Sequence, residues 1–321
     1  MSSSDTDPSN LNYLCTLKSL AMFRLCLLLY LFALIAISCQ EKLPAEMIAL
    51  EKEVAVTPTN ANVTQLLDLY SSWLQENPGV TPARKAILEK QLAVSTEHIR
   101  YTHALSALHG LIIDYHDDTK TSDRLLQIGE ILTKMNKTVA TQVLYQSFVS
   151  TYPDHAKTQE LKTQYSSTVP VDTFIRNVGL QIYTDSTATI NEIVARQYVD
   201  ACEAYALVHH GSDQSAEYLH KASEMARTTR SIPKALSIYD WLLRAYPNHK
   251  RSAQALFLKG FTYDNDLKDF ETAKVVYTEF LEKYPNDEFA PSARFLLENI
   301  GKSDDELLEA LQKKAAENQN Q

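Results

Sequence analysis

The chain has 321 residues, of which 45% are hydrophobic and 22% charged, so it can bury a substantial core in one large domain or two of ordinary size. It contains 7 glycines, and this low number argues against dinucleotide-binding and P-loop enzymes, whose turns and phosphate-binding loops need glycine. The formal net charge of −9 argues against a nucleic-acid partner, which needs a basic surface.

An apolar segment near the N-terminus predicts an export signal. Residues 25–37 read LCLLLYLFALIAI, carry no charge and follow Arg24. A helix of this length spans about 20 Å, which is too short for a bilayer core of about 30 Å but typical of a signal peptide. Residues 1–21 form a long, acidic preface to this signal, and we interpret them as an over-extended start that precedes Met22.

The four residues that end at Cys39 read AISC, which resembles the bacterial lipobox. The resemblance implies that residues 1–38 are removed as a signal peptide and that Cys39 is acylated. Two or three acyl chains would hold the protein stably on a membrane. Cys15 and Cys26 would be lost with the signal, which leaves Cys202 without a disulfide partner. The alternative is an ordinary cysteine in an uncleaved or conventionally cleaved signal.

From residue 60 onward, apolar residues recur three and four positions apart, and no run of strict alternation is convincing. This period predicts helices throughout the body of the chain. Helix-start chemistry recurs at the breaks, as at Thr81-Pro82 and in the SDDE capping box of residues 303–306. The sequence therefore predicts an all-α fold.

One pattern repeats along the chain: an aromatic residue, an apolar or aromatic residue three positions later, and a proline eight positions after the first. Good copies begin at Tyr70, Tyr145, Tyr239 and Tyr277, and a degenerate copy begins at Leu108. The steps from 70 to 108 to 145 and from 239 to 277 are 38, 37 and 38 residues. Within a copy the side chains share one helix face, and proline ends the helix. The near-constant period predicts tandem helical hairpins.

On these residues the chain resembles the tetratricopeptide repeat (TPR) family over roughly 60–168 and 213–301. The positions that carry the resemblance are small residues at helix crossings, aromatic residues of the second helix and the closing prolines: Gly129, Tyr145, Phe148, Pro153, Tyr239, Pro247, Gly260, Ala273, Tyr277, Phe280 and Pro285. One unit has an extra residue in the loop at 264–266. The resemblance implies a right-handed superhelical TPR solenoid of antiparallel helix pairs. A generic α-solenoid is the alternative.

Residues 169–212 do not follow the repeat unit. Helices are expected there near 173–183 and 189–210, either as a non-TPR hairpin between two blocks or as one degraded repeat. The predicted domains are a signal peptide at 1–38, a lipid-anchored linker at 39–59, an N-terminal TPR-like block at 60–168, a connecting helical hairpin at 169–212, a C-terminal TPR block at 213–301, and a capping helix with a polar tail at 302–321.

Catalytic and metal-binding motifs are not found in the sequence. His98, His103 and His109 fall on different helix faces, and no HExxH motif or Cys/His cluster occurs. GxSxG, GxGxxG and P-loop motifs are also lacking. We therefore expect no enzyme, no metal and no cofactor, and we interpret Cys202 as a buried structural thiol.

A binding groove is the more promising feature. TPR domains that clamp a peptide carboxylate use lysine and asparagine, and the resemblance implies no clamp here, because other residues occupy those positions: Asp123, Leu126, Glu130, Gln254, Phe257 and Phe261. Phe257, Phe261 and Tyr263 instead place aromatic rings on or near the groove-lining face. They are either buried by neighbouring helices or anchor an apolar segment of a partner.

The leading hypothesis is a lipid-anchored scaffold that faces the periplasm from the outer membrane and binds other envelope proteins. It resembles the TPR lipoprotein of the outer-membrane β-barrel assembly machinery. One alternative is a TPR coordinator of cell-wall synthesis and division that works with the Tol-Pal system. An alternative of another class is a helical-repeat substrate-binding lipoprotein that captures a glycan or peptide.

Overall fold

A computed structural model describes residues 43–184 and 189–302, together with 305, 306, 308 and 312. The predicted signal peptide, the predicted lipid site Cys39 and most of the predicted capping helix lie outside these described residues. Among the helices that the structure describes, none is long and apolar enough to cross a membrane.

The described residues form fourteen α-helices. In chain order they are α1 (Ala45–Val56), α2 (Asn60–Glu76), α3 (Pro82–Glu97), α4 (Tyr101–Asp114), α5 (Thr121–Lys134), α6 (Thr138–Thr151), α7 (Thr158–Tyr165), α8 (Val171–Leu180), α9 (Glu192–Val208), α10 (Asp213–Thr228), α11 (Ile232–Ala245), α12 (Lys250–Phe261), α13 (Phe270–Lys283) and α14 (Ala290–Glu298). A two-stranded antiparallel hairpin, β1 (Tyr183–Thr184) and β2 (Thr189–Ile190), joins α8 to α9. The all-α prediction is therefore confirmed, with this short hairpin as the exception.

The chain divides into two compact units, one up to Ile87 and one from Leu88 onward. In the first unit α1 packs on α2, although α1 lies within the stretch that the sequence predicts as a linker. The Tyr70 hydroxyl of α2 donates a hydrogen bond to Glu51 Oε1 of α1 at 2.8 Å. Burial and this contact raise the pKa of Tyr70, so the phenol stays protonated and the two helices are joined by a hydrogen bond as well as by apolar packing.

In the second unit consecutive helices pack on one another from α4 to α7 and again from α8 to α14. Helix α9 also packs directly on α6, although α7 and α8 lie between them in the sequence. The helix stack thus continues from α6 to α9, while the short helices α7 and α8 lie against α6 as an insertion. This sequential packing confirms a TPR-like solenoid. The division into two blocks stays a prediction, since α9 contacts both α6 and α10.

Glycine occupies two of the closest helix crossings in the second unit. A Cβ atom added at Gly129 would lie 2.3 Å from Cζ of Tyr145, and one added at Gly260 would lie 2.8 Å from Cδ1 of Tyr277. Real carbon contacts are longer than this, because protein interiors are already close-packed. At each crossing, the backbone of the first helix therefore lies directly against a tyrosine ring of the second.

The extra residue near 264–266 lies in a helical turn, so the prediction of a loop there is wrong. Helix α12 continues into a π-helical turn over Thr262–Asp266, and the Leu267 N–H donates to the Thr262 carbonyl at 3.1 Å. A π turn closes its hydrogen bond one residue later than an α turn. It therefore accommodates one inserted residue without breaking the helix.

The close contact at Gly129 allows us to predict how a single added methyl group changes the stability of the protein. In Gly129→Ala the new Cβ would overlap the buried Tyr145 ring, and overpacking of this kind costs about 1–3 kcal/mol. A Cβ only 2.3 Å from the ring places the cost in the upper part of that range, so it exceeds the gain of about 1 kcal/mol that alanine brings to a helix. We therefore expect a lower urea midpoint, measured by circular dichroism. Gly79→Ala is the control, because its Cβ would meet only Thr81 Cγ2 at 3.7 Å. Equal midpoints for both variants would contradict the packing account.

Candidate functional site

Phe257 lies in the core of the C-terminal repeat. Its side chain is 8% exposed, and its ring stacks on Phe289 with centroids 4.9 Å apart. The ring also lies 5.8 Å from that of Phe280. Of the two alternatives that the sequence left open, burial by neighbouring helices holds for Phe257. Its ring contributes to stability and leaves little area for a partner.

Phe261 and Tyr263 lie further along the same helical segment and are half-buried. The guanidinium carbon of Arg227, on α10, lies 4.9 Å from the centroid of the Phe261 ring. Such a cation–π contact is worth about 0.5–1 kcal/mol at an exposed site. Tyr263 packs at the edge of the apolar cluster around Phe257, and burial raises its pKa. These two rings keep some surface for a partner, but a cation lies over Phe261.

The π turn explains why Arg227 is fixed in this position. Asp266, at the end of the turn, has a side chain only 4% exposed. Its carboxylate accepts hydrogen bonds from Arg227 Nε at 2.7 Å and from Arg230 Nη1 at 3.1 Å. A buried carboxylate is tolerated when charged donors satisfy it in this way. The sequence did not predict this contact, because residues 264–266 were interpreted as a loop without a defined direction.

A second group of charged side chains lies among helices α6, α9 and α11. Lys137 Nζ lies 2.5 Å from Asp200 Oδ2, and Lys234 Nζ lies 3.1 and 3.2 Å from the two carboxylate oxygens of Glu203. The buried Glu203 carboxylate raises the pKa of Lys234. Burial raises the pKa of Asp200, and Lys137 opposes that shift. Each charge thus has its counter-charge, which is the arrangement of a structural network.

His109 of α4 lies beside this network. Its ring centroid is 6.2 Å from that of Trp241. Burial, with a smaller contribution from the positive charge of Lys234, lowers the pKa of His109 to about 3. The imidazole is therefore neutral at physiological pH, and it does not titrate in the range where a histidine acts as a general base.

Two contacts near His109 join parts of the second unit that are distant in sequence. Arg244 Nη1, at the end of α11, lies 3.2 Å from the buried carboxylate of Asp114, at the end of α4. The rings of His116 and His210 stack with centroids 4.0 Å apart. Burial, followed by the neighbouring His116, lowers the pKa of His210. The end of α4 therefore reaches α11 although six helices, α5 to α10, separate them in sequence.

The thiol of Cys202 lies in the core of the second unit. Cys202 is fully buried, and burial raises its pKa, so the reactive thiolate is not formed at neutral pH. No group of three or more His, Cys, Asp or Glu side chains in the described ranges could hold a metal ion.

Comparison with known proteins connects one repeat to a family. A family model described as tetratricopeptide repeat matches residues 254–287, which cover most of α12, the π turn and α13. No curated protein matches the chain. The matched repeat contains both Gly260 and Tyr277, and it supports a TPR protein. TPR domains generally bind protein partners, and an all-helical fold of this kind is typically a scaffold without catalytic activity.

The environment of His109 predicts how stability depends on pH. Because its folded pKa of about 3 lies below the usual 6.5, the unfolded chain binds the proton more readily, and stability falls as pH falls below 6.5. The loss at pH 5 is about 2 kcal/mol, since one pKa unit is worth about 1.4 kcal/mol. Replacing the imidazole in His109→Gln should flatten the dependence of the unfolding free energy on pH between 7.5 and 5.

A matched control separates this environment from the loss of any histidine. His98→Gln removes a histidine just beyond the end of α3, outside the charged network around Glu203. The urea midpoints of both variants and of the native protein are measured at several pH values. A His109→Gln profile as steep as the native one would show that burial of this imidazole does not govern acid stability.

Proposed function

We propose that this protein is a lipid-anchored TPR scaffold of the bacterial envelope that binds other envelope proteins. The observation that carries the scaffold function is the TPR match at 254–287 on helices that pack in sequence. Stacked helical hairpins present extended faces and grooves, and such faces recognise peptides and helices of other proteins.

The membrane anchor rests on the sequence before the first helix. The AISC motif that ends at Cys39 follows the apolar segment 25–37 directly. Residues 40–44 are the only ones between Cys39 and α1, and five residues span at most about 18 Å. A lipid on Cys39 would therefore hold α1 close to the bilayer surface. The net charge of −9 gives little attraction to anionic headgroups, so membrane binding depends on the acyl chains.

The process that we propose is assembly of outer-membrane β-barrel proteins, on the periplasmic side of the outer membrane. The lipid cysteine supports this role over that of a Tol-Pal division coordinator, which usually lacks the lipid. Partner proteins, rather than a bound cofactor, would then supply any chemistry, while this chain contributes position and orientation.

Replacing the predicted lipid site tests the anchor. In Cys39→Ser the thiol that would carry the diacylglycerol is missing, so we expect the protein to leave the membrane fraction and to lose labelling by a palmitate analogue. Cys202→Ala is the matched control, because this thiol is buried in α9 and should leave labelling unchanged. Labelling that persists in Cys39→Ser would show that the protein is not a lipoprotein of this type.

Site-specific crosslinking tests the partner. A photo-crosslinking amino acid in place of Phe261 lies on the half-buried face beside Arg227, and we expect it to capture components of the β-barrel assembly machinery in intact cells. The same group in place of Val56, which is 83% exposed on α1, is the control. Division proteins captured at position 261 would favour the Tol-Pal alternative instead, and a captured glycan would favour a substrate-binding lipoprotein.

A further inference from the structure

The insertion between α6 and α9 forms one wall of a cleft on the second unit. Helix α8 and strand β1 form this side, and α9 and α10 form the other, around a volume of about 730 Å³. This volume lies in the range of pockets that bind small ligands or short peptide segments. The α8–α10 cleft is separate from the aromatic face around Phe261, whose ring is not among its lining residues.

Specific contacts fix the walls of the α8–α10 cleft. A Cβ atom at Gly179 would lie 3.0 Å from Tyr198 Cε2, so α8 lies closer to this ring of α9 than a side chain at position 179 would easily permit. Across the cleft, the Tyr218 hydroxyl of α10 donates to Asp172 Oδ1 of α8 at 2.9 Å. Asp172 also raises the pKa of Tyr218, after the larger effect of burial, so this hydroxyl remains a donor at neutral pH. The cleft is therefore held in shape before any ligand arrives.

Exposed apolar side chains line the rim of the cleft. Leu180, at the end of α8, is 73% exposed and Tyr183, in β1, is 53% exposed. Met225 of α10 and the Tyr198 ring are only half-buried at the same place. Large apolar side chains grouped at a rim, rather than scattered singly, mark surfaces that are covered when a partner binds.

The charged side chains of the cleft differ in whether they have partners. Asp172 accepts the hydrogen bond from Tyr218, and Glu224 lies 3.4 Å from His220 Nε2. Arg176 and Lys221 make no ion pair within the described part of the chain, and Lys221 has only a distant contact with the Tyr218 ring, 5.9 Å from its centroid. The charged donors in the cleft that carry no ion pair are thus those of Arg176 and Lys221, and both suit a carboxylate ligand.

We infer that the α8–α10 cleft binds an extended segment of a partner protein that places an acidic side chain between Arg176 and Lys221 and an apolar side chain against Leu180 and Tyr183. The inference rests on the proposed function as a protein scaffold and specifies where and how one partner is recognised. The hydrogen bond between Tyr218 and Asp172 joins the walls beforehand and so lowers the entropic cost of binding. Arg176 and Lys221 repel a basic side chain placed between them.

The test uses the full-length protein in detergent and an array of dodecapeptides with a central Leu-Phe pair flanked by glutamate, glutamine or lysine. We expect the glutamate series to bind at least tenfold more tightly than the lysine series. The double variant Arg176→Glu/Lys221→Glu should reverse this order. Leu180→Ser should weaken the binding of all three series. The variant should still fold, because Leu180 is largely exposed.

The matched control is Lys134→Glu/Lys162→Glu, which changes the net charge by the same amount at exposed positions on α5 and α7, away from the cleft lining. It should keep the native order. Native protein that does not distinguish the glutamate from the lysine series, or an equal effect of the two double variants, would overturn the inference, as would an unchanged affinity in Leu180→Ser. Membrane attachment through Cys39 and crosslinking at position 261 do not depend on the cleft, so failure here is distinguishable from failure of the proposed function.

Discussion

The packing of the second unit depends on close contacts within helix pairs, in which the backbone of one helix lies against an aromatic ring of the other. Each first helix has a glycine at the crossing, Gly129 in one pair and Gly260 in the other. The rings of Tyr145 and Tyr277 fill the space that a side chain would take there. Both rings lie in the apolar core, so the close approach turns aromatic area into buried area. The position of the closing turn of a repeat, and of the helix that follows it, depends on how closely this pair packs.

The charged network follows from the same packing. Helices α6 and α9 pack directly on each other, and Lys234 of α11 reaches the same place, where the Glu203 side chain is only 7% exposed. The sequence of α9 places Asp200 and Glu203 among alanine, valine and cysteine, and each acid has a lysine from a neighbouring helix as its counter-charge. Burying such charges costs desolvation, and the pairs offset much of it. They also fix which helix lies beside which, because an alternative neighbour would leave a carboxylate without a partner.

The repeat could be predicted from the sequence because its residues recur at a fixed period and their roles are local. The aromatic residues, the small residues at crossings and the closing proline each act within one hairpin, so the order Gly260, Tyr277 and Pro285 is readable in the chain. The α8–α10 cleft is different in kind. Its lining includes Arg176 and Lys221 from separate helices, and a hydrogen bond joins Tyr218 to Asp172 across it. No periodic pattern in the sequence predicts a contact between an insertion and the helix stack. For Phe257 the periodic pattern was not sufficient either. Its spacing left open whether the ring lies in a groove or in the core, and the structure places it in the core.

The π turn at Thr262–Asp266 has a consequence for how such repeats diversify. An added residue would normally rotate everything after it by about 100° and displace the following helix from its neighbours. Here the widened turn takes up the added length, and α13 still packs on α12. At the end of this turn, the Asp266 carboxylate contacts Arg227 of α10 and Arg230 just beyond that helix. An added residue is thereby converted into a buried ionic contact between neighbouring hairpins, so one repeat can gain a new tie to its neighbour while the array keeps its phase.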